Sequence, residues 1–131
     1  MLYKYKLTAS MSLDDLSEKS VFVRSQATEL TTSAFTSADV QTVALARNST
    51  RVLSFSISSA KYLYIESDKP IYFNINNGGN INLTPQLVTD STTQYIPGHV
   101  LMFTSGMTAL TLGNTGTTAA DDATVLVVIG G

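Results

Sequence analysis

The chain has 131 residues, eight basic and ten acidic side chains, a formal net charge of −2, and neither cysteine nor tryptophan. That length supports one domain with a core of its own, while the missing cysteines exclude a disulfide framework and a thiolate metal site. The lack of a basic patch argues against a nucleic-acid partner, and no run approaches the roughly 18 apolar residues of a membrane span.

Residues 1–38 form an N-terminal arm that differs from the rest. It holds Lys4, Lys6, Lys19 and Arg24, half of all the basic residues. Leu2 to Leu7 alternates apolar and basic side chains, the pattern of a half-buried or edge strand whose lysines discourage stray pairing. Ser12-Leu13-Asp14-Asp15-Leu16 reads as a helix start, with Ser12 as N-cap and acids in the first turn. The pattern ends by Ser20, so the helix has one or two turns at most. Val21 to Gln26 reads as a short strand and Thr31 to Asp39 as a loop. The opening MLYKYKLTAS lacks the apolar core of a secretory signal, which reads as a mature cytosolic product.

From residue 39 to 131 period-two patterning takes over, and Ser and Thr, roughly a quarter of the whole chain, favour strands and turns over helices. Val40, Val43 and Leu45 lead into Val52, Leu53, Phe55 and Ile57, with Arg51, Ser54 and Ser56 between them. Tyr62 to Glu66 and Ile71 to Ile75 follow, joined by Ser67-Asp68-Lys69-Pro70, a turn in which Pro70 fixes φ and Asp68 folds back on its own backbone. The near-palindrome Asn74 to Asn82 predicts a hairpin with the loop Asn77-Gly78-Gly79. That loop sets Ile75 opposite Ile81 and Phe73 opposite Leu83, with the isoleucines on one face and Gly79 left-handed.

The segment Thr84 to Pro97 is a long gap, and Val100 to Phe103 is the next strand. Ser105-Gly106 is a tight turn, and Gly113 to Asp122 an exposed polar tip. Thr124 to Ile129 is a continuous apolar run, suited to a strand covered on both sides. Together these elements predict an all-β protein: a jelly-roll-like antiparallel sandwich of about seven to nine strands, with an extended N-terminal segment and at most one short helix.

The chemistry on offer is sparse. His99 is the single histidine, and no G-x-S-x-G elbow accompanies it, so it reads as a structural or surface residue and the chain as no enzyme. One histidine and no cysteine do not make a zinc site. Asp14-Asp15 and Asp121-Asp122 lack the spaced oxygen ligands of a calcium loop and read as turn acids. Glu66, Asp68 and Lys69 read as surface charge. Gly78-Gly79 is followed by no Lys-Ser/Thr, which favours the hairpin over a phosphate cradle. The sequons at Asn48 and Asn82 read as chance. No cofactor is expected. Tyr62 and Tyr64 share a face of one strand, and Tyr72 is placed on the neighbouring strand. These three form the candidate interaction surface: a cross-strand aromatic cluster, or a patch for a partner.

Residues 60–76 (AKYLYIESDKPIYFNIN), the strand and turn GHVLMFTSG from Gly98, and the closing ATVLVVIGG resemble the small all-β virion proteins of tailed bacteriophages, over roughly residues 40–131. The resemblance implies a non-enzymatic structural part of the virion, foremost a capsid decoration (cement) protein that stabilises the shell through subunit contacts. Its partners would be the major capsid protein or other virion proteins, and it would form a homo-oligomer. The alternatives are a head–tail connector or tail component, or a glycan- or receptor-binding β-module. After Lys69 the chain has no Lys or Arg. Surface charge normally keeps small domains apart, so this neutrality favours burial against other chains.

Overall fold

The structure, a computed structural model, describes residues 3–14, 20–35, 37–89 and 94–131, the first two stretches through their backbone. The chain divides into two units, Met1–Thr36 and Ser37–Gly131.

In the first unit β1 (Tyr3–Asp14) and β2 (Ser20–Phe35) pair antiparallel. This corrects two expectations. Ser12, Leu13 and Asp14 continue β1, opposite Val23, Phe22 and Ser20, where a helix start was expected. Thr31 to Phe35, expected in a loop, completes β2. Both stretches are rich in Ser, Thr and alternating apolar residues, and pairing along a ladder outweighs a lone N-cap signal. The rest of the expected helix, residues 15–19, lies outside the described residues.

The second unit is an all-β sandwich. Its strands are β3 (Ala38–Leu45), β4 (Ser49–Leu53), β5 (Ala60–Ser67), β6 (Ile71–Ile75), β7 (Ile81–Leu83), β8 (Gln86–Leu87), β9 (Tyr95–Ile96), β10 (Gly98–Met107), β11 (Leu110–Asn114) and β12 (Ala123–Gly130). One sheet has the order β10-β5-β12-β3 and the other β4-β11-β6-β7, every ladder antiparallel. Leaving out the small β8-β9 ladder, this is the eight-stranded jelly-roll order.

Period-two alternation builds the core. Leu63 and Ile65 of β5, Val125, Val127 and Ile129 of β12, and Val43 and Leu45 of β3 face Ile71 and Phe73 of β6 and Leu110 and Leu112 of β11. Burial of each such side chain contributes about 1.5–3 kcal/mol. The apolar run of β12 is central, between β5 and β3, but covered on one side only: Leu126 and Val128 on the outer face stay half-buried.

Three turns differ from the sequence reading. The β6-β7 ladder pairs Ile71 with Leu83, Tyr72 with Asn82 and Phe73 with Ile81. That is two residues away from the expected register, so the in–out parity is kept. The turn is tightened by Asn76 and Asn77, at φ 52° and 57°, with the Gly78 N–H donating to the Ile75 carbonyl at 2.9 Å. Asparagine tolerates the left-handed region, and it does the work assigned to Gly79.

Ser105 and Gly106 lie within β10, not in a turn. Phe103 pairs with Tyr62 and Met107 with Ala60, so four steps along β10 match two along β5 in a bulge. Gly106 has φ +134°, and a Cβ there would come within 2.9 Å of the Ser59 hydroxyl. The turn itself is Thr108-Ala109, from which the chain crosses into the other sheet.

Between β5 and β6 it is Ser67 that folds back, its hydroxyl donating to the Lys69 carbonyl at 2.7 Å. Asp68 instead accepts the Thr124 N–H at 2.7 Å, which pins the start of β12.

Candidate functional site

The jelly-roll order separates the three tyrosines. Tyr62 and Tyr64 lie on the outer face of β5, since Leu63 and Ile65 between and beyond them are fully buried in the core. Tyr72 is on the outer face of β6, in the other sheet. It is therefore not a neighbour of the other two, and the expected three-tyrosine cluster is corrected to a pair and a single. The cause is the Ser67–Pro70 turn, which carries the chain from one sheet to its opposite.

Cross-strand register assembles the surface around the pair. Tyr62 stands opposite Phe103 and Gly130, Tyr64 opposite Leu101 and Val128, and Val128 opposite Val40. The Tyr62 and Phe103 rings meet edge to face at 6.1 Å between centroids. Tyr62 is covered to 9% exposure although it lies outside the core, whereas Phe103 and Val40 are 52% and 64% exposed. Leu101, Tyr64, Leu126 and Val128 are half-buried. A sheet normally alternates apolar inside with polar outside. Here the outer face of β10-β5-β12-β3 is apolar across all four strands.

Two of the polar groups on that face, Glu66 and His99, are engaged with Tyr64. The Tyr64 hydroxyl donates to the Glu66 carboxylate at 2.6 Å. His99 is exposed opposite Glu66, and its ring lies over Tyr64 with centroids 6.2 Å apart and planes 24° from parallel. In the turn that follows β5, Lys69 sits over the Tyr95 ring of β9, 5.2 Å from its centroid.

Tyr72 is placed by a different device. It pairs directly with Gly113 of β11, which in turn pairs with Thr50 of β4. A Cβ on Gly113 would fall 1.9 Å from Cζ of Tyr72 and 2.3 Å from its hydroxyl oxygen, so the hydroxyl end of the ring lies over the glycine. The Tyr72 hydroxyl and the Thr50 hydroxyl are 3.3 Å apart. Laying an aromatic ring over a strand glycine covers backbone that has no side chain of its own.

The acids expected in turns hold backbone. Asp121, in the 3-10 turn Ala119–Asp121, accepts the N–H groups of Thr117 and Thr118 at 2.9 and 2.8 Å and the Thr118 hydroxyl at 2.9 Å. These bonds hold its carboxyl below the usual carboxylate range. Asp122 accepts the Arg47 N–H at 2.9 Å. The stretch read as an exposed tip begins differently: Gly113 and Asn114 are buried in β11. Asn114 donates to the carbonyls of Asp121 (2.7 Å) and Leu45 (3.2 Å), anchoring the loop. Among the described residues, no three His, Cys, Asp or Glu side chains come together as a metal site, and no helix is long and apolar enough to cross a membrane.

Compared with known proteins, the chain matches no family model, no curated sequence and no solved structure.

Proposed function

We propose that this chain is a non-enzymatic structural subunit that associates with further copies of itself through the outer face of the β10-β5-β12-β3 sheet. The observation that carries this reading is the apolar band of Phe103, Leu101, Tyr64, Val128 and Val40 running across that face. The band itself carries no charge and is complementary to itself, because a two-fold operation through it brings no like charges together. The edge strand β3 continues the band. Its only charge is Asp39, and it has none of the Lys, Pro or bulge that usually blunts an edge.

Four strands about 4.8 Å apart and some eight residues long present a face of roughly 19 by 26 Å. That falls short of the roughly 800 Å² per partner of a stable pair, so association through this face alone is weak and concentration-dependent. Repetition around a symmetric shell compensates for weak single contacts. The resemblance to virion proteins points to such a setting: a capsid decoration protein seated on the major capsid protein, with a connector or tail component as the other placement.

Sedimentation equilibrium across a wide concentration range tests the proposal. The mass is expected to rise with concentration for the native chain and to stay monomeric for Val40→Asp and Leu101→Asp, each with an unchanged circular dichroism spectrum. A native chain that stays monomeric at every concentration would overturn it. Co-sedimentation with capsids lacking the protein separates the decoration role from the connector or tail role.

A further inference from the structure

We propose that a groove on the outer face of the other sheet binds a neutral saccharide. The groove is shallow, about 510 Å³, and is lined by Pro70, Tyr72, Asn80, Asn82, Thr84 and Thr115 among others. Among the described residues, none that line it is charged. An ionic ligand would lose its hydration without gaining a partner, so the site suits an uncharged polar molecule.

Tyr72 supplies a fixed plate. Its ring is held against Gly113 on one side and tied through its hydroxyl to Thr50, so little side-chain freedom remains to be lost on binding. A pyranose ring offers an apolar C–H face and a rim of hydroxyls. The first stacks on an aromatic plate, and the second needs donors and acceptors beside it.

The asparagines meet that need. Asn82 stands directly opposite Tyr72 in the β6-β7 ladder and is exposed. Asn80 accepts from the Asn74 amide at 3.1 Å, which orients it and leaves its own NH₂ for a ligand. A carboxamide carries a donor and an acceptor on neighbouring atoms, the arrangement that pairs with two adjacent sugar hydroxyls. Thr84 and Thr115 add hydroxyls at the margins. A shallow, open groove takes consecutive units of an oligosaccharide chain more readily than an isolated sugar.

The groove and the apolar band lie on outer faces of different sheets, so the saccharide site stands independently of self-association. The test is saturation-transfer NMR followed by calorimetry with maltohexaose, cellohexaose, xylohexaose and mannohexaose, and with hexagalacturonate as a charged comparison. One of the neutral hexasaccharides is expected to bind. Tyr72→Ala should weaken it at least about tenfold, which is ~1.4 kcal/mol. Tyr72→Phe, which keeps the plate, should stay within about threefold, and the surface variant Asn82→Ala should weaken binding by about three- to tenfold. If Tyr72→Ala does not fold, Asn82→Ala and Tyr72→Phe carry the comparison. Binding by none of the neutral sugars, tighter binding of hexagalacturonate, or affinity unaffected by Asn82→Ala would overturn the assignment.

Discussion

Asn76 and Ala109 bind each other twice: the Asn76 N–H donates to the Ala109 carbonyl at 2.9 Å, and the Ala109 N–H donates to Asn76 Oδ1 at 3.0 Å. The same Oδ1 accepts the Thr108 N–H at 2.8 Å, and Asn76 Nδ2 donates to the Gly106 carbonyl at 3.1 Å. One left-handed asparagine thus joins the β6-β7 turn to the crossing from β10 to β11. Asn76→Ala loses these side-chain bonds and strains a residue at φ 52°, for an expected loss of about 2–3 kcal/mol. Asn76→Gly relieves the strain but not the lost bonds, and should cost about 1 kcal/mol less. Urea denaturation of both variants checks this, and equal losses would show that backbone strain contributes nothing.

Gly113 and Tyr72 should be energetically coupled. Gly113→Ala drives a methyl group into the ring and should destabilise the fold by about 1–3 kcal/mol. In a Tyr72→Ala background the same substitution should cost about 1 kcal/mol less, because the clash is gone. A double-mutant cycle with no coupling would mean that the ring does not rest on the glycine.

The Asp121 carboxylate gives the Thr115–Asp122 loop a pH dependence of known sign. Its folded-state pKa lies below the ordinary 3.8, chiefly through the Thr118 N–H and hydroxyl. A depressed carboxylate stabilises the folded state above the unfolded pKa and loses that contribution as pH falls through the folded value. Carboxyl carbon NMR should place the Asp121 midpoint under 3.8. The difference in melting temperature between the native chain and Asp121→Asn should shrink from about pH 5 towards about pH 2. A midpoint at or above the ordinary value would contradict this account.

Asn114, 2% exposed, is the buried anchor of the same loop. Asn114→Ala leaves the Leu45 and Asp121 carbonyls without that partner and should cost about 2–3 kcal/mol. Asn114→Asp places an acceptor against two acceptors and should be worse. An aspartate variant as stable as the native chain by thermal melting would show that water takes over these bonds.

These cases mark how far the sequence was legible. Alternation revealed strands of the sandwich and put Phe73 and Leu83 on one face, because burial on one side of a strand imposes period two. The unbroken run Thr124 to Ile129 hid its own alternation, since only Val125, Val127 and Ile129 enter the core. Parity says which side a residue takes, not which sheet it joins, so Tyr72 was grouped with Tyr62 and Tyr64 although a four-residue turn carries it to the opposite sheet. The register of the Asn74–Asn82 hairpin hung on which residue turns left-handed. Glycine is the usual choice, but Asn76 is held there by bonds to Thr108 and Ala109, some thirty residues on. Such long-range capping leaves no local trace. Likewise, the Asp68 that looked like a self-folding turn acid is engaged by Thr124.

The position of β12 has a kinetic consequence. It lies between β3 and β5, both of which are synthesised long before it. Until Ala123–Gly130 leaves the ribosome, those two strands have no common partner and their facing edges stand open, so the nascent sheet is a target for chaperones or for misplaced pairing. Joining elements so distant in the chain carries a loop-closure cost before any contact forms, and all-β domains of this kind refold in milliseconds to seconds. Substitutions in β12 should therefore slow refolding more than comparable ones in the locally paired β6-β7 hairpin.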